Sequence, residues 1–163
     1  MKNLIVTLVL LFTNLISYSQ CGNTDFELGN FTGWTGKWGV CCPINLTTTG
    51  LGSTRQVIMT QGTDPHSCGG LRTVYAGMYS ARLGNDRVGS QAEGLSYRIT
   101  ITPSNNVIRY AYAVVFQDPG HAPADQPRFQ SRVRLANGSI IPCTDYTVTA
   151  ASNLPGFHYW IPP

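Results

Sequence analysis

Pro127-Arg128-Phe129-Gln130-Ser131-Arg132-Val133-Arg134-Leu135-Ala136 alternates with a period of two. Phe129, Ser131, Val133 and Leu135 fall on one side, and Arg128, Gln130, Arg132 and Arg134 on the other. Successive strand side chains point to opposite faces, so this is the pattern of a half-buried strand with a wet, basic face. Working outward, Tyr97-Arg98-Ile99-Thr100-Ile101-Thr102 alternates in the same way and stops at Pro103. Val107 to Gln117 reads as a long central strand. Ile108, Tyr110, Tyr112, Val114 and Phe116 share one face, and Arg109, Ala111, Ala113 and Val115 make a small, largely apolar second face, which predicts cover on both sides. Shorter strands are expected at Thr24–Leu28, Gln56–Thr60, Leu71–Tyr75, Tyr79–Leu83 and Tyr146–Ala150. Asn137-Gly138 marks a hairpin turn, and Gly29 to Gly39 reads as a loop carrying Trp34 and Trp38.

Helical periodicity is hard to find after residue 20, whereas period-two alternation is easy to find. Gly 17 and Pro 10 supply many turns, while 42% hydrophobic residues is too apolar a composition for disorder. The expected fold is all-β, an antiparallel sandwich in a single domain over 20–163. The formal net charge is +3, and only 12% of residues are charged. Without Lys2 the balance is about +2, far from the dense basic stripe of a nucleic-acid binder.

The N-terminus has the form of an export signal over 1–19. Lys2 precedes an apolar run from Leu4 to Ile16, and Ser17-Tyr18-Ser19 puts small residues before Gln20. That run is shorter than the roughly 20 residues a membrane-spanning helix needs, and no later segment is long and apolar enough. A secreted or cell-surface location follows as the expectation. Lipidation at Cys21 is the alternative, against which stands Gln20 where a small residue is wanted. Cys21, Cys41, Cys42, Cys68 and Cys143 all lie in the exported part, where disulfides persist. Cys41 and Cys42 are neighbours, and a bridge between neighbours is disfavoured. Each is expected to reach Cys21, Cys68 or Cys143.

Four groups of residues are candidates for chemistry. Asp118 and Asp125, in a proline-stiffened loop with His121, are candidate oxygen ligands for Ca²⁺; the same loop reads as a rigid connection closed by Asx turns. Arg128, Arg132 and Arg134 form a stripe suited to carboxylates or sulfates on an acidic glycan, or simply a solvated strand face. Trp34, Trp38 and Tyr79 are candidates for an aromatic platform under sugar rings, or for packing on the end of the core. Glu93 and Asp118 are the one pair to consider for a secreted hydrolase. No serine stands in a nucleophile elbow, and the expectation is that the chain is not an enzyme.

Three blocks, taken in order, carry a resemblance. They are Asp25-Phe26-Glu27-Leu28-Gly29-Asn30-Phe31-Thr32-Gly33-Trp34-Thr35-Gly36, then Ser80-Ala81-Arg82-Leu83-Gly84-Asn85 with Ala92-Glu93-Gly94-Leu95-Ser96-Tyr97, then Tyr112 to His121 with Gln126-Pro127-Arg128-Phe129. Together they resemble the N-terminal jelly-roll domain of Bacteroidetes cell-surface proteins that continue with PKD-like repeats and a gliding-motility-associated sorting domain of type IX secretion. The resemblance implies a jelly roll of the galactose-binding or carbohydrate-binding-module kind. It implies a role in adhesion, glycan contact or scaffolding, with no catalytic residues to transfer. It also implies further strands after this point, so the sandwich is expected to lack its last strands and to leave one cysteine unmatched. A spacer domain with no ligand of its own is the alternative role.

Overall fold

The computed structural model describes residues 22–118, 120–151 and 154–157. The export signal over 1–19 and Cys21 lie outside the described residues. The fold is all-β and antiparallel, as the alternation predicts, and no α-helix occurs among the described residues. Seven strands form among the described residues: β1 (Trp34–Val40), β2 (Asn45–Thr49), β3 (Gln56–Thr60), β4 (Tyr79–Leu83), β5 (Gln91–Tyr97), β6 (Arg128–Ser131) and β7 (Tyr146–Thr149). They make one three-stranded sheet in the order β2-β1-β5 and two hairpin-like pairs, β3-β4 and β6-β7. β3, β4 and β7 stand where expected.

β1 lies in the stretch expected to be a loop. Its glycines, which read as loop residues, are what let neighbouring chain come close. A Cβ on Gly39 would sit 1.9 Å from the Asn45 carbonyl oxygen, and one on Gly36 would sit 2.7 Å from that of Gly50. Trp34 and Trp38 are therefore strand residues on one face of β1, opposite Tyr97 and Glu93 of β5. Thr24–Leu28, expected as a strand, forms turns instead. This segment is organised around Asn23, which is 2% exposed. Its side-chain amide donates to Asn30 O at 2.8 Å, its Oδ1 accepts from Leu28 N at 3.0 Å, and its own carbonyl accepts from Trp34 Nε1 at 2.8 Å. Glu27 then fastens the segment to the start of β4 by accepting from Met78 N at 2.9 Å and Tyr79 N at 3.2 Å. Gly77 is required there: its φ is 79°, and a Cβ would lie 2.2 Å from Glu27 Oε1.

The β3-β4 pair is held to the three-stranded sheet by two adjacent residues. Gln56 is 3% exposed; its Nε2 donates to Lys37 O at 2.8 Å and Gly94 O at 3.3 Å, and its Oε1 accepts from Gly52 N at 2.9 Å. Every polar atom of that buried amide side chain is thus engaged. Arg55 pairs with Glu93 at 2.6 Å and lies over the Trp38 ring, 5.3 Å from its centroid.

Four further expected strands are altered. The run 97–102 belongs to a sheet only at Tyr97, the last residue of β5, and Leu71–Tyr75 contributes only an isolated bridge, Thr63 to Arg72. The run 127–136 is a strand over Arg128–Ser131, followed by a single bridge from Arg134 to Ile140 around the Asn137-Gly138 turn. That turn closes with Gly138 N donating to Leu135 O at 2.9 Å, with Gly138 at φ 89°. Val107–Gln117 carries neither turn nor bend, yet no strand pairs with it among the described residues. It is not covered on both sides: Val107 is 71% exposed, and Ala111 and Ala113 are also exposed.

The disulfide expectation is corrected. Cys41 bridges its neighbour Cys42, with their Cα atoms 3.2 Å apart in the turn between β1 and β2. The peptide between them is cis, a geometry that residue spacing does not announce. Cys68 and Cys143 are exposed and carry no bridge among the described residues.

Candidate functional site

β6 and β7 pair so that Phe129 faces Val148 and Ser131 faces Tyr146 across the ladder. Directly opposed residues share a face, so Phe129, Ser131, Tyr146 and Val148 form one side of the pair. Arg128, Gln130, Thr147 and Thr149 form the other. The extended run 107–117 brings two more rings to the first side. Tyr112 stacks on Phe129 with centroids 5.0 Å apart and planes at 16°, and it lies 5.7 Å from Tyr146 and 5.8 Å from Tyr110. The Tyr110 hydroxyl is 2.8 Å from Ser131 Oγ. A hydrogen bond with the Tyr146 phenol favours the neutral form of Tyr112. Together with partial desolvation and the neighbouring phenols, it raises the Tyr112 pKa above its ordinary 10.0.

These rings are open to solvent. Tyr110 is 57% exposed, Tyr112 49% and Tyr146 43%. Contiguous exposed aromatic surface of this kind marks contact sites on soluble proteins. Each phenol adds a polar edge to an apolar face, which suits a ligand that is partly apolar and partly hydroxylated.

The residues singled out from sequence are placed differently. Trp34 is stacked on Phe26 (4.5 Å, 18°) and edge-on to Tyr97 (5.1 Å), with its N–H used by Asn23. Trp38 lies beneath Arg55, and Tyr79 lies against Gly29. No ring contact joins these three among the described residues. The arginine stripe is engaged one residue at a time: Arg128 donates to Ala124 O, Arg132 pairs with Asp145 at 3.3 Å, and Arg134 donates to Gly138 O at 3.0 Å.

Asp118 and Asp125 line different clefts. Asp118 shares a cleft of about 540 Å³ with His121, Gln126 and Thr149, and its Oδ1 accepts from Gly120 N at 3.0 Å and Gln126 Nε2 at 2.8 Å. Asp125 lines a second cleft with Cys42, Ile44 and Arg128. One carboxylate per cleft does not fit the six to eight oxygens that Ca²⁺ takes. Glu93, held by Arg55, lines neither cleft.

Sequence reading did place Tyr110 and Tyr112 on one face. What it missed was that Phe129 and Tyr146 join them, and that the group faces solvent rather than a second sheet. No protein-family model matches the chain, and no curated protein or solved structure is significantly similar to it.

Proposed function

We propose that this chain is a non-catalytic, exported surface module that makes contact with glycan through the face built by Tyr110, Tyr112, Phe129 and Tyr146. The four-ring cluster, with its three tyrosines exposed and Phe129 half-buried beneath Tyr112, carries the reading. Its flat apolar area suits the C–H faces of sugar rings, and its phenols can exchange hydrogen bonds with ring hydroxyls. The export signal in the first 19 residues and the resemblance to jelly-roll domains of bacterial surface proteins support the same role in adhesion. The test is a glycan array followed by electrophoresis in polysaccharide-loaded gels. Retention by a bound polysaccharide is expected to fall about tenfold or more in Tyr112→Ala, as for loss of one stacked ring and its hydrogen bond. Far-ultraviolet circular dichroism should be unchanged. A flat array with the wild-type protein overturns the reading.

One observation favours a second reading, that of a spacer without a ligand: the tryptophans and arginines best suited to recognition are bonded within the chain. That reading gains if the wild type binds nothing.

A further inference from the structure

The run 107–117 is extended, largely exposed and rich in apolar residues, and it pairs with no strand among the described residues. No backbone–backbone hydrogen bond from 106–118 to any other described residue is formed. Its side chains run beside β6 with Tyr110 at Ser131 and Tyr112 at Phe129, which sets an antiparallel direction, but the ladder itself is open. Val-Ile-Arg-Tyr-Ala-Tyr-Ala-Val-Val-Phe-Gln contains no proline, glycine or lysine, the devices that ordinarily guard an unpaired strand, and carries a single charge, Arg109. An extended run with free N–H and C=O groups and apolar side chains is a template for another strand.

We propose that this run pairs with the same run of a second copy, antiparallel and centred on Tyr112, to give a closed two-fold dimer. The inference goes beyond glycan contact and does not depend on it. A second copy is favoured because the run is self-complementary. Full overlap sets Val107 opposite Gln117, Ile108 opposite Phe116, Tyr110 opposite Val114 and Ala111 opposite Ala113, with Tyr112 on the axis. Arg109 falls opposite Val115, so no like charges meet. At about 3.3 Å per residue the paired run is roughly 36 Å long, and the ladder holds on the order of ten hydrogen bonds. Exposed Val107, Ile108, Tyr110, Tyr112 and Val115 on each copy bring the buried surface to roughly 1,000 Å², the lower bound of a specific interface. Opposed residues share a face, so the tyrosines of both copies come to lie on one side of the joined sheet.

Sedimentation velocity across a concentration series tests the pairing, and a charge pair tests its register. Val115→Lys sets a second positive charge opposite the partner's Arg109 twice, by symmetry, and is expected to weaken the dimer at least about threefold. Val115→Glu sets a carboxylate there and is expected to tighten it by a similar factor. Val115 is 46% exposed, so both substitutions leave the protomer folded, which circular dichroism checks. Opposite shifts for the two variants support the proposal. A wild type that stays monomeric overturns it, as do equal effects of lysine and glutamate, or open-ended oligomers in place of a dimer. A dimer that binds no glycan leaves this inference standing and removes only the functional one.

Discussion

Removing the Arg55 guanidinium isolates a carboxylate that the fold has already taken out of water. Glu93 retains 10% of its side-chain exposure and Arg55 19%, and their contact at 2.6 Å crosses between the β3 segment and β5. No other hydrogen bond to the Glu93 carboxylate is seen among the described residues. Arg55→Met keeps the aliphatic stem over Trp38 but leaves Glu93 unpaired, a change that costs about 3–5 kcal/mol when one partner of a buried pair is lost. Of this, about 0.5–2 kcal/mol is the cation–π contact with Trp38. Against a total stability of about 5–15 kcal/mol the loss is large. The double variant Arg55→Met/Glu93→Leu removes both charges together and is expected to recover most of it, because apolar replacement of a buried pair is often close to neutral. Urea unfolding followed by tryptophan fluorescence measures these two variants and the single Glu93→Leu, which closes the cycle. Were Arg55→Met to cost less than about 1 kcal/mol, or the single effects to add in the double variant, the claim that this pair joins the two sheets would be wrong.

Two further outcomes are expected. Because the Tyr112 phenol is held neutral by Tyr146, a spectrophotometric titration should show one tyrosine ionising above the ordinary value of 10.0, and Tyr146→Phe should bring it down. The folded-state pKa is raised, so the associated stability is present below pH 10.0 and is lost as pH rises through the folded value; unfolding midpoints that do not fall across that window count against the hydrogen bond. Peptide mapping without reduction should recover Cys41 and Cys42 in one peptide, two hydrogens lighter than after reduction. A cross-link from either residue to the Cys68 or Cys143 peptide contradicts the vicinal bridge.

How far the fold was legible follows from what alternation encodes. β3 and β4 were read from sequence at their observed bounds because β-branched and alternating residues are bounded there by turn signals. β1 was not, because Gly36 and Gly39 look like loop residues until the close approach of Gly50 and Asn45 is seen. The hydrogen bonds of Asn23 and Gln56 were equally invisible: an amide in a sequence gives no sign of which distant carbonyls it will meet. At the candidate site the limit is sharper. The period of two in 107–117 correctly puts Tyr110 and Tyr112 on one face, but a period names faces and says nothing of neighbours. The same pattern serves a central strand, which is buried, and an unpaired one, which is not. Sequence reading chose the buried case since both faces are apolar, and the structure leaves the rings in solvent with the backbone open. Those two consequences call for different partners. The rings need a surface laid on the face, and the backbone needs a strand laid on the edge, so Tyr112→Ala, on the dimer axis, should disturb both while the charge at position 115 tunes only the second. Finding the two effects separable would establish that one short run carries both contacts; a Val115→Lys protein that loses glycan in proportion to its loss of dimer would instead make the pairing a condition of binding.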